Sequence, residues 1–120
     1  MKYMLLVHSA LSDFETRDIK PEDMQETFDF MMQLNTELQE SGELLDAAGL
    51  ADPRQTVTVR KRGGAAVSTD GPFAEAKEVL GGYWVLDCAD KDRALEIAQR
   101  IVEFDGPMSP DTIEVREAMS

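Results

Sequence analysis

The stretch VLGGYWVLDCADKDRALEIAQRI, residues 79–101, decides the fold because it contains a strand followed closely by a capped helix. Tyr83 to Cys88 is apolar and rich in β-forming residues, which predicts a strand, and Gly81-Gly82 at its entry allow a bulge or a close backbone approach. Asp90 is a suitable N-cap for a helix that ends near Phe104. The residues at helical spacing that should face inward are Ala94, Ile97, Ala98 and Ile101.

The same strand and helix pattern occurs at the start of the chain. Lys2 to His8 is apolar on both faces and predicts a central strand. A long helix is expected from Pro21 to Ser41, since proline suits the first turn and Gly42 stops the helix. Phe30 and Met32 give this helix more apolar surface than one sheet face needs, so a partner subunit could cover them. The core stripe is predicted to be Met24, Phe28, Met31, Leu34 and Leu38.

The remaining segments complete one α+β domain. Gly42 to Leu50 and Thr112 to Glu117 predict strands, and Thr56 to Arg60 with Ala65 to Thr69 predict an inserted hairpin. The order β, α, β, hairpin, β, α, β is that of a ferredoxin-like, split βαβ unit, with an antiparallel sheet and two helices on one face. The other face needs a cover, so we expect two sheets to pair in a dimer.

Length and charge limit the function. With 120 residues, 42% of them hydrophobic, residues 1–120 are expected to form a single domain. The net charge of −12 argues against nucleic-acid binding, because Arg60-Lys61-Arg62 is the only basic cluster. No apolar run has the length of a membrane span and no signal-peptide pattern is present, so a cytoplasmic protein is expected. Cys88 is the only cysteine, which excludes an internal disulfide, and its strand predicts a core position.

His8 and Asp70 are the candidate catalytic residues. His8 is the only histidine, and imidazole is the side chain that titrates nearest to neutral pH. If Asp70 meets His8 in a cleft, the pair can move a proton, because a carboxylate orients the imidazole. The structural alternatives are a hydrogen-bonded strand-end histidine and an aspartate that caps the N–H groups of Phe73 or Ala74. Arg60 and Tyr83 are candidate contacts for an anion and for a ring.

Motifs for bound groups are missing from the sequence. One histidine without a carboxylate at helical spacing does not match the usual metal-ligand patterns, so no metal is predicted. There is also no phosphate loop, dinucleotide fingerprint or nucleophile elbow. No cofactor is therefore predicted.

The segment TDGPFAEAKE, residues 69–78, with VLGGYWVLD after it and MKYMLLVH at the start of the chain, resembles the DGPF-type members of the YCII-related family. The resemblance covers most of the chain. It implies a ferredoxin-like unit that pairs into a dimeric α/β barrel, and a function that is mostly unknown in the family. Asp70, Lys77 and Glu78 match the motif directly, while Ala76 replaces the threonine often found there. Lys77 and Glu78 are expected to lie on a short helix. The family's proposed dyad uses a histidine from the first helix, and this chain has none there.

The sequence therefore predicts a homodimer that binds a small anionic or aromatic molecule in a pocket near the DGPF loop. The candidate binding residues are Arg60, Phe73, Lys77, Glu78 and Tyr83. Cofactor-free acid/base chemistry at His8 and Asp70 is one hypothesis. The alternative is a non-catalytic binding or regulatory module associated with an extracytoplasmic-function sigma factor, since genes of the DGPF family commonly accompany such factors. Neither a nucleic acid nor a membrane is an expected partner.

Overall fold

A computed structural model describes residues 1–12, 20–72 and 78–119. Two predicted binding residues, Phe73 and Lys77, lie outside these ranges. Within them, four strands form one antiparallel sheet in the spatial order β2, β5, β1, β6. These strands are β1 (Lys2–Ala10), β2 (Leu44–Gly49), β5 (Glu78–Asp87) and β6 (Thr112–Glu117).

Two long α-helices connect these strands in the part of the chain that the structure describes. The helix α1 (Gln25–Glu40) follows a 3₁₀ turn at Pro21–Met24, so the predicted long helix begins with a tighter turn where proline lacks its N–H. The helix α2 (Lys91–Glu103) begins as predicted, because the Asp90 carboxylate accepts a hydrogen bond from the backbone N–H of Arg93 at 2.9 Å.

The predicted hairpin is confirmed. It consists of β3 (Val57–Arg62) and β4 (Ala65–Asp70), which form a separate two-stranded sheet between β2 and β5 in the chain. Without this insertion, the strand order and the alternation of strands and helices are those of a ferredoxin-like unit. The radius of gyration is 16.1 Å, above the roughly 14 Å of a compact chain of this length. The hairpin therefore projects from the domain.

The core lies between the two helices and one face of the four-stranded sheet. Alternate residues of β1 and β5 face the helices, as the period of two requires. Cys88 follows β5, and its burial raises the pKa of the thiol, which fits the predicted core role. The buried residues of this core are Tyr3, Leu5, Val7, Leu34, Leu38, Trp84, Leu86, Cys88, Ala94, Ile97, Ala98 and Ile101.

The helix α1 differs from its predicted core stripe. Leu34 and Leu38 are buried as predicted, but Phe28 is 53% exposed. Phe30, which was expected to need a partner subunit, stacks on Phe104 with ring centroids 4.1 Å apart. The inward side of the helix therefore includes Phe30 in place of Phe28, and the Phe104 ring provides its aromatic contact. Met32 is 68% exposed, as its position off the stripe predicts.

The second face of the four-stranded sheet is open. Met4 and Leu6 alternate with the buried residues of β1, and Val85 pairs with Met4 across the sheet, so all three lie on the face opposite to the helices. We call this surface the open face. Its apolar side chains are half-buried within one chain. A single chain forms an open sheet, and the dimeric barrel stays a prediction. In the described ranges, none of the helices has both the length and the apolar character that crossing a bilayer requires.

Candidate functional site

A cavity of about 390 Å³ lies between the first half of α1 and the neighbouring parts of β1, β2 and β5. Cavities of this size hold small molecules. Among the residues that the structure describes, its lining contains no charged side chain. The larger side chains that form its walls belong to Met24, Phe28, Met31, Trp84, Met108 and Pro110.

Small residues leave the space for this cavity. Gly49, Gly81 and Gly82 line it where β2 and β5 come together. A Cβ atom on Gly82 would lie 2.9 Å from the carbonyl oxygen of Ala48, closer than such contacts normally allow. The pairing of β1 with β5 shifts register between Val7 and His8, opposite this glycine pair. The predicted bulge and close approach at Gly81-Gly82 are both confirmed.

Asn35 is a polar group in the cavity wall. Its Oδ1 accepts a hydrogen bond from Nε1 of the buried Trp84 at 2.8 Å. This bond sets the orientation of the amide, because its oxygen is directed at the indole of Trp84. The NH₂ group of the amide is then directed away from that indole. The amide NH₂ can then donate to a ligand oxygen.

A strained turn forms another part of the wall. The N–H of Ser109 donates to the carbonyl oxygen of Gly106 at 3.0 Å, and Met108 has a φ of 59°. This is the left-handed conformation that the third position of a type II turn requires, and it normally favours glycine or asparagine. The buried Thr27 hydroxyl donates to the carbonyl of Pro107 at 2.6 Å and so attaches the turn to α1. Met108 is therefore held against the cavity at some conformational cost.

His8 lies on the opposite side of the sheet from the helices. The side chain of Val7 lines the cavity, and the next residue on a strand faces the other way. The Nε2 atom of His8 lies 2.6 Å from Oε1 of Glu114 on β6, and this buried nitrogen makes no hydrogen bond within the described ranges. The contact is an ion pair only when the imidazole is protonated. The sequence did not predict Glu114 as a partner.

Asp70 and Arg60 lie on the hairpin. Asp70 ends β4 and is exposed, while Arg60 is half-buried on β3 opposite Val67. The N–H of Gly71 donates to the carbonyl of Thr56, which fixes the end of the hairpin. The contacts described for His8 and for Asp70 involve different partners in different sheets. Their catalytic pairing stays a prediction, and the proposed caps at Phe73 and Ala74 lie outside the described residues.

The position of Tyr83 on β5 borders the cavity, but Tyr83 precedes the inward-facing Trp84 and pairs with Leu6. The candidate ring contact therefore has its ring on the open face of the sheet, opposite to α1. A polar partner holds Tyr83 there. Its hydroxyl donates to the carboxylate of Asp46 at 3.1 Å, and this hydrogen bond raises the pKa of the phenol. Tyr83 is therefore a neutral hydrogen-bonding group at neutral pH. Glu78 is exposed at the first position of β5, where it pairs with Ala10, so the prediction that it lies on a short helix is wrong. The pairing with β1 provides backbone partners that a helix there would lose.

Sequence reasoning missed most of the cavity wall. Met24, Phe28 and Met31 were interpreted as core residues alone, because apolar residues at helical spacing predict packing equally well. Asn35 could have been predicted as a site residue from the sequence, since an amide on the inner side of a helix needs a polar partner. Met108 could not have been predicted in this way, because its conformation depends on a turn that a hydrogen bond attaches to α1.

Comparisons with known proteins agree with the resemblance seen in the sequence. The model of the YCII-related domain matches residues 1–117. An uncharacterised protein from Rhizobium meliloti (strain 1021) is 42% identical over 60 residues, which are 50% of this chain and 48% of that protein. The matched stretch thus spans about half the length of this relative. The DGPF subgroup stays a prediction. Because the match covers nearly the whole sequence, this chain belongs to the YCII-related family.

Proposed function

We propose that this chain binds a small, uncharged aromatic molecule in the cavity between α1 and the sheet. The observation that carries the proposal is the composition of the wall, where methionine, aromatic and proline side chains surround about 390 Å³ of space. Burying a flat ring against such side chains removes apolar surface from water and adds contacts between sulfur and aromatic groups.

The wall favours an aromatic ligand over an anionic one. An anion loses its hydration in an apolar cavity, and the described lining offers no cation to compensate. Arg60 was the candidate anion contact, but it is on the hairpin. A neutral ring meets no such penalty.

Asn35 narrows the ligand class further. With its Oδ1 occupied by Trp84, its amide donates to an acceptor oxygen. A carbonyl, ether or phenol oxygen on the ring would satisfy that donor. The proposed ligand is thus a ring that carries one acceptor oxygen.

Two further parts of the prediction stay proposals. Proton transfer by His8 and Asp70 is a separate hypothesis, because His8 lies on the opposite side of the sheet from the cavity, and it requires these two side chains to converge. A regulatory module associated with a sigma factor is the alternative, in which ligand binding would control the association. Binding of a ring in the cavity is the first step of that alternative, so it is the step to test.

The proposed assembly is a homodimer in which two open faces pack together. The support is the apolar character of Met4, Leu6 and Val85, which a single chain leaves half-buried. A sheet normally covers both apolar faces with another layer. A second copy can supply that layer through two-fold symmetry.

Three ligands with the same ring test the chemistry. Ethylbenzene has no oxygen, acetophenone has a neutral acceptor oxygen, and benzoate has a negative charge. Binding of each can be followed by ligand-observed NMR titration. We expect acetophenone to bind about three- to tenfold more tightly than ethylbenzene, which is the effect of one hydrogen bond. Benzoate should bind most weakly. Tightest binding by benzoate would support the anionic alternative instead.

Two variants locate the binding site. Asn35→Leu should remove the preference for acetophenone over ethylbenzene, because the amide donor is lost. Ala47→Phe should weaken the binding of both, since Ala47 lines the cavity and a larger side chain fills it. Ala89→Phe, at an exposed position before α2, is the matched control and should bind like the unmodified chain. Equal binding by the Ala47→Phe and Ala89→Phe variants would exclude this cavity as the site.

A further inference from the structure

The hairpin presents apolar side chains to solvent, and within the described ranges no other helix or strand forms a layer against it. Val57 is 58% exposed and Val59 is 63% exposed, and both point to the same side of β3 because they are two residues apart. A two-stranded hairpin is only marginally stable in water without a third element against it. This side of the hairpin is therefore suited to packing against another surface.

The hairpin also carries a charge opposite to that of the rest of the chain. Arg60, Lys61 and Arg62 follow one another at its tip, whereas the whole chain has a net charge of −12. Without these three positive charges the remaining residues sum to −15. The tip is thus electrostatically attracted to most of the surface of another copy.

The outer side of α1 has matching properties. Phe28 and Met32 are 53% and 68% exposed, and they are neighbours because they are one helical turn apart. Asp29 is exposed beside Met32 at a spacing of three residues. Glu22 and Asp23 are exposed in the 3₁₀ turn that precedes the helix. The patch therefore combines two large apolar side chains with adjacent negative charge.

The spacing of the two apolar pairs also agrees. Residues two apart on a strand are separated by about 6.6 Å, and residues one turn apart on a helix by about 5–6 Å. Val57 and Val59 can thus contact Phe28 and Met32 together. All four side chains are exposed within one chain, so the hairpin does not cover the α1 of its own chain.

We propose that the β3–β4 hairpin of one copy packs on the outer side of α1 of a second copy, with the valines on Phe28 and Met32 and the basic tip near the acidic residues. Both surfaces belong to this chain, so two copies can exchange hairpins about a two-fold axis and close the assembly. Phe28 also lines the cavity, so the hairpin would lie over one side of the ligand site. The contact is separate from the pairing of open faces.

Cysteine cross-linking tests the contact directly, because the single natural cysteine, Cys88, is buried. A Val59→Cys chain and a Met32→Cys chain are each prepared, mixed and treated with a short bismaleimide. Joining of the two different chains is the expected result, detected by mass spectrometry. The matched control pairs Val59→Cys with Gln99→Cys, since Gln99 is exposed on α2. Equal yields from the two pairs would overturn the proposal.

Charge reversal supplies the second measurement. The variant Lys61→Glu with Arg62→Glu should reduce the cross-linking yield about tenfold. Each exposed charge pair contributes modestly to the binding free energy between the two copies, and the contributions of several pairs add. Introducing Asp29→Lys with Asp23→Lys into the chain that carries Met32→Cys should restore much of the yield. These changes lie on exposed positions, so folding should be retained. A dimer that sediments normally but gives no specific cross-link would mean that the open face alone joins the copies and that the hairpin has another partner.

Discussion

Met108 shows how one residue can be placed by its surroundings rather than by its own preference. Its φ of 59° is unfavourable for a side chain with a Cβ, by about 1–2 kcal/mol. Two contacts hold the turn in place, namely the bond from Ser109 to Gly106 and the bond from Thr27 to Pro107. Strain of this kind is common at binding sites, and here it brings a thioether side chain to the cavity wall.

Replacing Met108 by glycine is expected to affect the stability of the fold and the affinity for the ligand in opposite directions. Glycine adopts the left-handed conformation without strain, so Met108→Gly should keep or raise the free energy of unfolding measured by urea denaturation. The same change removes part of the cavity wall and should weaken acetophenone binding several-fold. Met119→Gly is the control, since Met119 is fully exposed, and it should leave binding unchanged. A destabilised Met108→Gly protein with normal binding would contradict this view of the turn.

At the scale of elements, the contact between β2 and β5 is unusually close. Gly82 lies opposite Gly49 in the register, and the carbonyl of Ala48 occupies the place where a side chain would begin. Its neighbour Gly81 has more room, since the nearest atom to an added Cβ is the Ser9 hydroxyl oxygen at 3.7 Å. Two adjacent glycines thus have different roles in the same strand.

We expect Gly82→Ala to lower the free energy of unfolding by about 1–3 kcal/mol, because the added methyl group pushes β2 away from β5. Gly81→Ala should change it by less than about 1 kcal/mol, since its Cβ makes ordinary contacts. Urea denaturation midpoints of the two variants provide the comparison. Equal midpoints would show that β2 moves freely to accept the methyl group.

An ion pair joins the start of β2 to the start of α2. The guanidinium of Arg93 donates from Nε to one oxygen of Glu43 at 2.8 Å and from Nη2 to the other at 2.9 Å. These hydrogen bonds lower the pKa of Glu43 below its ordinary value of 4.5. A two-pronged pair of this kind is stronger than a single surface contact.

The lowered pKa of Glu43 predicts a pH dependence. Glu43 is more acidic in the folded chain than in the unfolded chain, so its ionised form adds stability above pH 4.5, and this contribution disappears as the pH falls through the folded pKa. Glu43→Gln should therefore be less stable than the unmodified chain at pH 7, with a difference that shrinks in acid. The control is Glu40→Gln, at an exposed position. A difference that stays constant from pH 7 to acid would contradict the ion-pair explanation.

For the whole molecule, the main apolar surface without a covering layer is the open face of the sheet. Helices cover one face, while Met4, Leu6 and Val85 lie on the other. Pairing of two such faces would bury these side chains, which is the basis of the proposed dimer. A charged residue in their middle would have to lose its hydration in that interface.

Leu6→Lys is thus expected to shift the equilibrium from dimer toward monomer, with a mass near 13.4 kDa by light scattering. Val102→Lys adds the same charge on an exposed position of α2 and should leave the dimer intact. Circular dichroism checks that both variants fold. A fully monomeric unmodified chain at micromolar concentration would rule out the pairing of open faces.

Local patterns in the sequence determined much of the fold. The order of strands and helices, the Asp90 cap, the inward residues of α2 and the inserted hairpin all follow from periodicity and capping between near neighbours. The glycine pair before Tyr83 likewise predicted the bulge. These features were predictable because their causes lie within a few residues of one another.

Only the tertiary structure decided the candidate site. Asn35 and Trp84 are 49 positions apart, and Thr27 and Pro107 are 80 apart, so no local pattern shows that they meet. Phe30 stacks on Phe104, which follows α2 far along the chain, whereas Phe28 on the same helix is exposed. The physical reason is that a binding cavity forms where distant segments pack incompletely, and the shape of that gap depends on all of them together.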